Sequence, residues 1–98
     1  MDLKIAPSNS AYTLRLFVTG ASPNSTRAIS NLKKILETYL KDNYELEIID
    51  IYQQPEKARF EQIIALPLLI RTSPGSERRL IGDMSNTAKV LKGLGINA

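Results

Sequence analysis

The feature that most constrains this chain is a double change of hydrophobic period in its first half. From Tyr12 to Thr19, Leu14, Leu16 and Val18 alternate with Thr13, Arg15 and Phe17, which is the period-2 pattern of a strand. Ala28, Ile29, Leu32, Ile35, Leu36, Tyr39 and Leu40 then recur at spacings of three and four, with Lys33, Lys34, Glu37 and Lys41 on the opposite side, so this stretch is predicted as an amphipathic helix. Ser22 is placed to cap that helix and Pro23 to open it, since proline has no N–H to leave unpaired there. Glu37 and Lys41 stand in the favourable i,i+4 order, and Asp42-Asn43 is predicted to end the helix. Tyr44 to Ile51 alternates again, with Tyr44, Leu46 and Ile48 on one face and Glu45, Glu47 and Ile49 on the other. Strand, helix and strand within about forty residues form a βαβ unit, whose right-handed crossover makes the two strands parallel. Phe17 on the second face implies a sheet covered on both sides.

The second half is predicted to continue as a short helix from Pro55 to Ile64, with Ala58, Phe60, Ile63 and Ile64 as its apolar residues. Leu68-Leu69-Ile70 suits a buried strand, and Ser73-Pro74-Gly75-Ser76 is a turn leading to Arg79-Leu80-Ile81, so these two strands are predicted to form a hairpin. After Gly82-Asp83, Ser85 or Asn86 can cap a last helix carrying Thr87, Val90, Leu91 and Leu94, which Gly93 and Gly95 are predicted to end. The order is βαβαββα, an α/β chain with a mixed four-stranded sheet. Residues 1–10 are expected to form a flexible leader and residues 11–98 a single domain.

Composition then removes whole classes of chemistry. The 98 residues include no cysteine and no histidine, which excludes a disulfide framework, a thiolate-bound metal, and the commonest general base. No apolar run reaches the ~20 residues that cross a bilayer, and the N-terminus lacks a signal-peptide core, so a cytoplasmic location is expected. A net charge of +3 without a basic block gives no nucleic-acid footprint, and Tyr12, Phe17, Tyr39, Tyr44, Tyr52 and Phe60 form no paired stacking platform. Alternation points Arg78 and Arg79 to opposite faces, a poor joint clamp for phosphate. Asp50 and Asp83 follow strand ends, where a turn role outweighs acid–base work. The expectation is therefore a binding protein, not an enzyme, with neither metal nor cofactor.

The element order, with Pro67 directly before the third strand, is the thioredoxin pattern, and Pro67 is the candidate for a cis peptide bond. Ser22-Pro23-Asn24-Ser25 sits where that fold carries a redox Cys-x-x-Cys, and a serine hydroxyl with no activating base cannot replace a thiolate in disulfide exchange. A glutathione-type pocket beside Pro67 is the enzymatic alternative.

Several segments together resemble the KaiB family of small circadian clock proteins. They are Tyr12 through Gly20, then Ser22-Pro23-Asn24-Ser25 with Arg27-Ala28, Tyr44 through Asp50, Pro55, Ala65-Leu66-Pro67, Arg78 through Asn86, and Lys89-Val90-Leu91. The resemblance spans about residues 12 to 95, and its Arg-Arg-x-Ile-Gly-Asp-x-Ser segment is the most specific part. It implies a non-enzymatic regulator that binds a KaiC-type ATPase ring, with a KaiA-like protein or a SasA-type histidine kinase as further partners. It also implies a capacity to switch fold in the C-terminal half and to self-associate, as a dimer or tetramer. The ring-facing surface it implies comprises the second helix and the last helix, with Gln62, Lys89, Gly93 and Gly95; the second strand would be an edge for another partner, with Glu45, Glu47 and Arg27 nearby. The chain departs from the clock pattern at Thr72-Ser73-Pro74-Gly75-Ser76, at Gly95, at Arg59-Phe60, at Glu47, and in lacking an acidic tail. These departures lead to the expectation of a divergent paralogue resting in the thioredoxin-like order, with stress adaptation outside a clock, or an adaptor role in a histidine kinase pathway, as alternatives.

Overall fold

Alternation and amphipathicity carry through into the computed structural model, which describes residues 12–59, 61–63 and 65–96. The expected leader and the side chains of Phe60 and Ile64 lie outside the described residues. Seven elements follow in order: β1 (Tyr12–Val18), α1 (Pro23–Tyr39), β2 (Tyr44–Asp50), α2 (Pro55–Ala58), β3 (Leu68–Ser73), β4 (Arg78–Ile81) and α3 (Thr87–Leu94). The sheet order is β2-β1-β3-β4, with β1 and β2 parallel and the other two pairings antiparallel, so the expected mixed sheet is present. Both edges, β2 and β4, are open among the described residues.

The period-2 pattern of β1 sorts its side chains onto two cores. Leu14, Leu16 and Val18 are buried against Ala28, Leu32, Ile35 and Leu36 of α1 and Val90, Leu91 and Leu94 of α3. Phe17 faces the other way, into a smaller cluster with Ile49, Leu68 and Ile70 under Ala58, Ile63 and Leu66. The two-sided cover implied by Phe17 is therefore real, and the layers are two helices, the sheet, and the 55–66 segment. No helix among the described residues is long and apolar enough to cross a membrane.

Caps set the helix limits. Ser22 accepts from the Ser25 amide with Pro23 in the first turn of α1, and Asn86 accepts from the Lys89 amide to start α3. The first helix stops at Tyr39, before Asp42-Asn43, and Lys41 lies beyond it at φ 50°; Glu37 accepts the Tyr44 hydroxyl in place of the expected Lys41 pairing. The expected helix from Pro55 to Ile64 shrinks to the single turn Pro55–Ala58. Gln54 supplies no side-chain cap, and the turn buries no residue, so nothing propagates it. Beyond it, Glu61 and Gln62 are tied to β4 by Arg79, whose Nη1 donates to the Gln62 carbonyl at 3.0 Å and whose Nη2 donates to Glu61 at 2.8 Å. Gly93 does not end α3. It lies inside the helix, and Gly95, at φ 75°, is the left-handed cap. The Leu66–Pro67 bond is cis as expected, and Ser73–Pro74 is cis too.

Candidate partner-binding surface

At the start of α1 the two serines that stand in place of a dithiol are locked into backbone support. Ser22 Oγ donates to Ser25 Oγ at 2.8 Å and accepts from the Ser25 amide, while the Thr19 amide donates to the fully buried Ser25 Oγ at 3.1 Å. These hydroxyls close the β1–α1 turn upon itself and cap the helix. Asp50 and Asp83 do the turn work expected of them: Asp50 accepts from the Tyr52 amide at 2.9 Å and Asp83 from the Ser85 amide at 3.0 Å. Among the described residues no group of three or more acidic side chains converges to hold a metal ion.

The side chains that do converge lie along the β4 edge. Gln62, Leu68, Arg79, Leu80, Ile81 and Lys89 line a groove of about 280 Å³ between the 61–66 segment and α3. An adjoining hollow of about 220 Å³ shares Leu80, Ile81 and Lys89 and runs on past Asp83 to Ser85 and Asn86. The floor is aliphatic, and Ile81 is 54% exposed, which is high for a strand isoleucine. The rim carries charges of both signs. Arg79 pairs with Glu61 at 2.8 Å and Glu77 at 2.7 Å, and these carboxylates raise its affinity for the proton, Glu77 most. Lys89 is exposed on the first turn of α3.

Of the four residues expected on this surface, Gln62 and Lys89 are brought to one groove. Gly93 and Gly95 shape α3 from inside. A Cβ at Gly93 would lie 2.3 Å from Leu80 Cδ2, so α3 closes on β4 with the Leu80 side chain against this glycine, and any side chain here must displace it. Gly95 faces the guanidinium of Arg71, a buried residue to which the sequence reading gave no role. The only signal for it was its parity with Leu69 on β3, which turns it toward the core face.

The second expected cluster divides. Glu47 pairs with Arg15 at 3.4 Å and with Lys57 of α2, on the face of β2 away from α1 and α3, and Glu45 beside it is exposed. The hydrogen bond from Lys57 is the main reason the Glu47 carboxyl sits below the usual carboxylate range. Arg27 is not near them: it reaches Asp83 at 3.4 Å and Asn24, beside the β4–α3 loop. Hydrogen bonds from Ser85, followed by Arg27, lower the Asp83 pKa. The physical reason for the division is that the first turns of α1 are tied to the β4–α3 loop, where Asn31 also donates to the Asp83 carbonyl at 2.9 Å, whereas Glu45 and Glu47 stand on β2 at the opposite edge of the sheet from β4.

On the α1 side of the β2 edge, Lys33, Glu37, Tyr44, Leu46 and Ile48 line an open hollow of about 460 Å³. Donating to Glu37 pushes the Tyr44 phenol up from 10.0 to about 12. The raised value favours the neutral phenol in the folded state. Its contribution to stability is thus complete below pH 10 and is lost as the pH rises through 12. In an alkaline absorbance titration one tyrosine is expected to ionise near pH 12, and Glu37→Gln should bring it down toward 10; a titration unchanged by that substitution would contradict the contact.

With this geometry in place, comparison with known proteins gives a consistent result. The profile of the KaiB domain family matches residues 15–96. The chain is 49% identical over 83 residues to circadian clock protein KaiB3 of Synechocystis sp. PCC 6803, covering 85% of this chain and 81% of the relative. It is 44% identical over 90 residues to circadian clock oscillator protein KaiB of Thermostichus vulcanus, covering 92% and 83%. Among solved structures, the N-terminal domain of SasA from Synechococcus elongatus superposes with a TM-score of 0.69 at 23% identity, over 88% of this chain and 85% of that one. Mitochondrial thioredoxin 3 of Saccharomyces cerevisiae superposes with a TM-score of 0.70 at 16% identity, over 93% and 83%. These two structures share the thioredoxin-like fold with this chain.

Proposed function

Since this chain belongs to the KaiB family of circadian clock proteins, we propose that it is a non-enzymatic cytoplasmic regulator that docks on a KaiC-type ATPase ring through its β4–α3 groove. The observation that carries the reading is the groove itself, an aliphatic floor of Leu68, Leu80 and Ile81 with Gln62 and Lys89 at its margin. An exposed aliphatic strip rimmed by polar groups is the composition of a docking surface. A second partner is favoured by fold alone. The SasA N-terminal domain has the same architecture, so a kinase bearing such a domain would compete with this chain for one ring. The open β2 edge, with Glu45 exposed, would serve a further partner by strand addition.

The test is co-elution of the purified chain with a KaiC-type ring and ATP over several hours. The wild type is expected to move into the ring fraction, and Lys89→Glu is expected to weaken that shift about ten-fold or more, because it reverses an exposed charge at the margin of the groove. Absence of any shift from folded wild-type protein would refute the ring as partner.

A further inference from the structure

Arg71 lies on β3 at 6% exposure, facing the helix-bearing side of the sheet. Its Nη1 donates to the carbonyl of Leu94, the last residue of α3, at 2.7 Å. Its Nη2 donates to the carbonyl of Ser76 in the β3–β4 turn at 2.8 Å. Among the described residues its Nε has no hydrogen-bond partner, and the ion pairs described above belong to Arg15, Arg27, Lys57 and Arg79, not to Arg71. A buried guanidinium facing carbonyls alone is costly, since desolvation of the charge is only partly offset. Its position offsets part of that cost. The carbonyl end of a helix carries partial negative charge, so the cation serves the end of α3 and reaches the hairpin turn at the same time. The fit is tight at Gly95, where a Cβ would stand 3.2 Å from Nη1; one at Gly75 would be in ordinary contact with Nη2 at 3.8 Å.

We infer that Arg71 is the positioning residue of the partner surface, a single guanidinium that fixes the C-terminal end of α3 to the β3–β4 hairpin and so sets the angle of the groove wall bearing Lys89. The inference rests on the β4–α3 groove being the docking surface. Its mechanical half can be measured without a partner.

Hydrogen exchange on the full chain is compared for the wild type, Arg71→Lys and Arg71→Met. The Gly95 and Ile96 amides, which bond to the Lys92 and Leu91 carbonyls, report the end of α3, while the Leu32 and Ile35 amides report α1. In Arg71→Met the first pair is expected to exchange about ten-fold faster with the second pair unchanged. Arg71→Lys should fall between, because one ammonium cannot span both carbonyls. Ring affinity should follow the same order. Unchanged exchange at α3, equal acceleration in α1, or identical behaviour of the lysine and methionine variants would each overturn the inference, the last by showing that packing of the stem suffices. If Arg71→Met fails to fold, the same amides in Arg71→Lys decide. Selective loosening of α3 in a protein whose wild type never binds the ring would uphold the positioning role and refute the ring reading instead.

Discussion

Phe17→Ala is expected to lower the unfolding free energy by about 3 kcal/mol, the lower end of the range for deleting a buried phenylalanine. Phe17 is fully buried on the central strand β1, and its ring meets Ile49 and Leu68, which stand beside it in register on the two flanking strands, and Ile70. Hydrogen-bonded strands cannot close on the void. The cover above them, Ala58, Ile63 and Leu66, belongs to one helical turn and an irregular segment, which can settle partway, so the lower end applies. With a domain of this size shifting by roughly 4–8 °C per kcal/mol, the melting temperature should fall by about 12–24 °C. Since a whole domain is held by only about 5–15 kcal/mol, such a variant would be near the limit of folding. Denaturant unfolding with an unchanged slope would measure the loss. A cost below about 1 kcal/mol would mean that the 55–66 segment does not pack on this face at all.

The second large effect lies at Gly93, where alanine and leucine are expected to part company. A Cβ there would meet Leu80 Cδ2 at 2.3 Å and its Cδ1 and Cγ at 2.9 Å. Those atoms are the end of one flexible side chain that is only half-buried, so Leu80 can rotate away from a methyl group. Alanine also gains about 1 kcal/mol of helix propensity over glycine inside α3. Gly93→Ala should therefore leave stability nearly unchanged. Gly93→Leu brings atoms that a rotation of Leu80 cannot accommodate, and α3 must lift from β4 at a cost of about 2–3 kcal/mol. Because Leu80 forms part of the groove floor, the leucine variant should also lose the proposed ring docking, even at temperatures where it is fully folded. Thermal melts and co-elution on both variants check the two halves separately. Equal destabilisation by alanine and leucine would show that backbone freedom at Gly93, and not its closeness to Leu80, matters.

Much of this architecture was legible in the linear pattern. β1, α1 and β2 carry unbroken periods of two, then three to four, then two, and those periods are local properties that packing only confirms. Ser22, Pro23, Asn86 and Gly95 could be read as caps because the geometry of a helix end is satisfied by neighbours in sequence. The 55–66 segment was misread for the converse reason. Pro55 opens a helix well, but whether the helix continues depends on Arg79, which lies in β4 and draws Glu61 and the Gln62 carbonyl onto the sheet. Gly93 was misread likewise: glycine near a helix end usually stops it, and only contact with Leu80 reveals a glycine kept for space.

The sequence by itself determined the βαβ unit, the two-faced sheet, the loss of redox chemistry at Ser22 and Ser25, and the family. Each of these is written in residue identity or in spacing along the chain. Only the tertiary structure decided that Gln62 and Lys89 share a groove while Arg27 stands apart from Glu45 and Glu47, because distance between elements is set by how layers pack. It alone decided the role of Arg71, since a cation acquires the carbonyls of Leu94 and Ser76 as partners only when β3, the hairpin turn and the end of α3 meet.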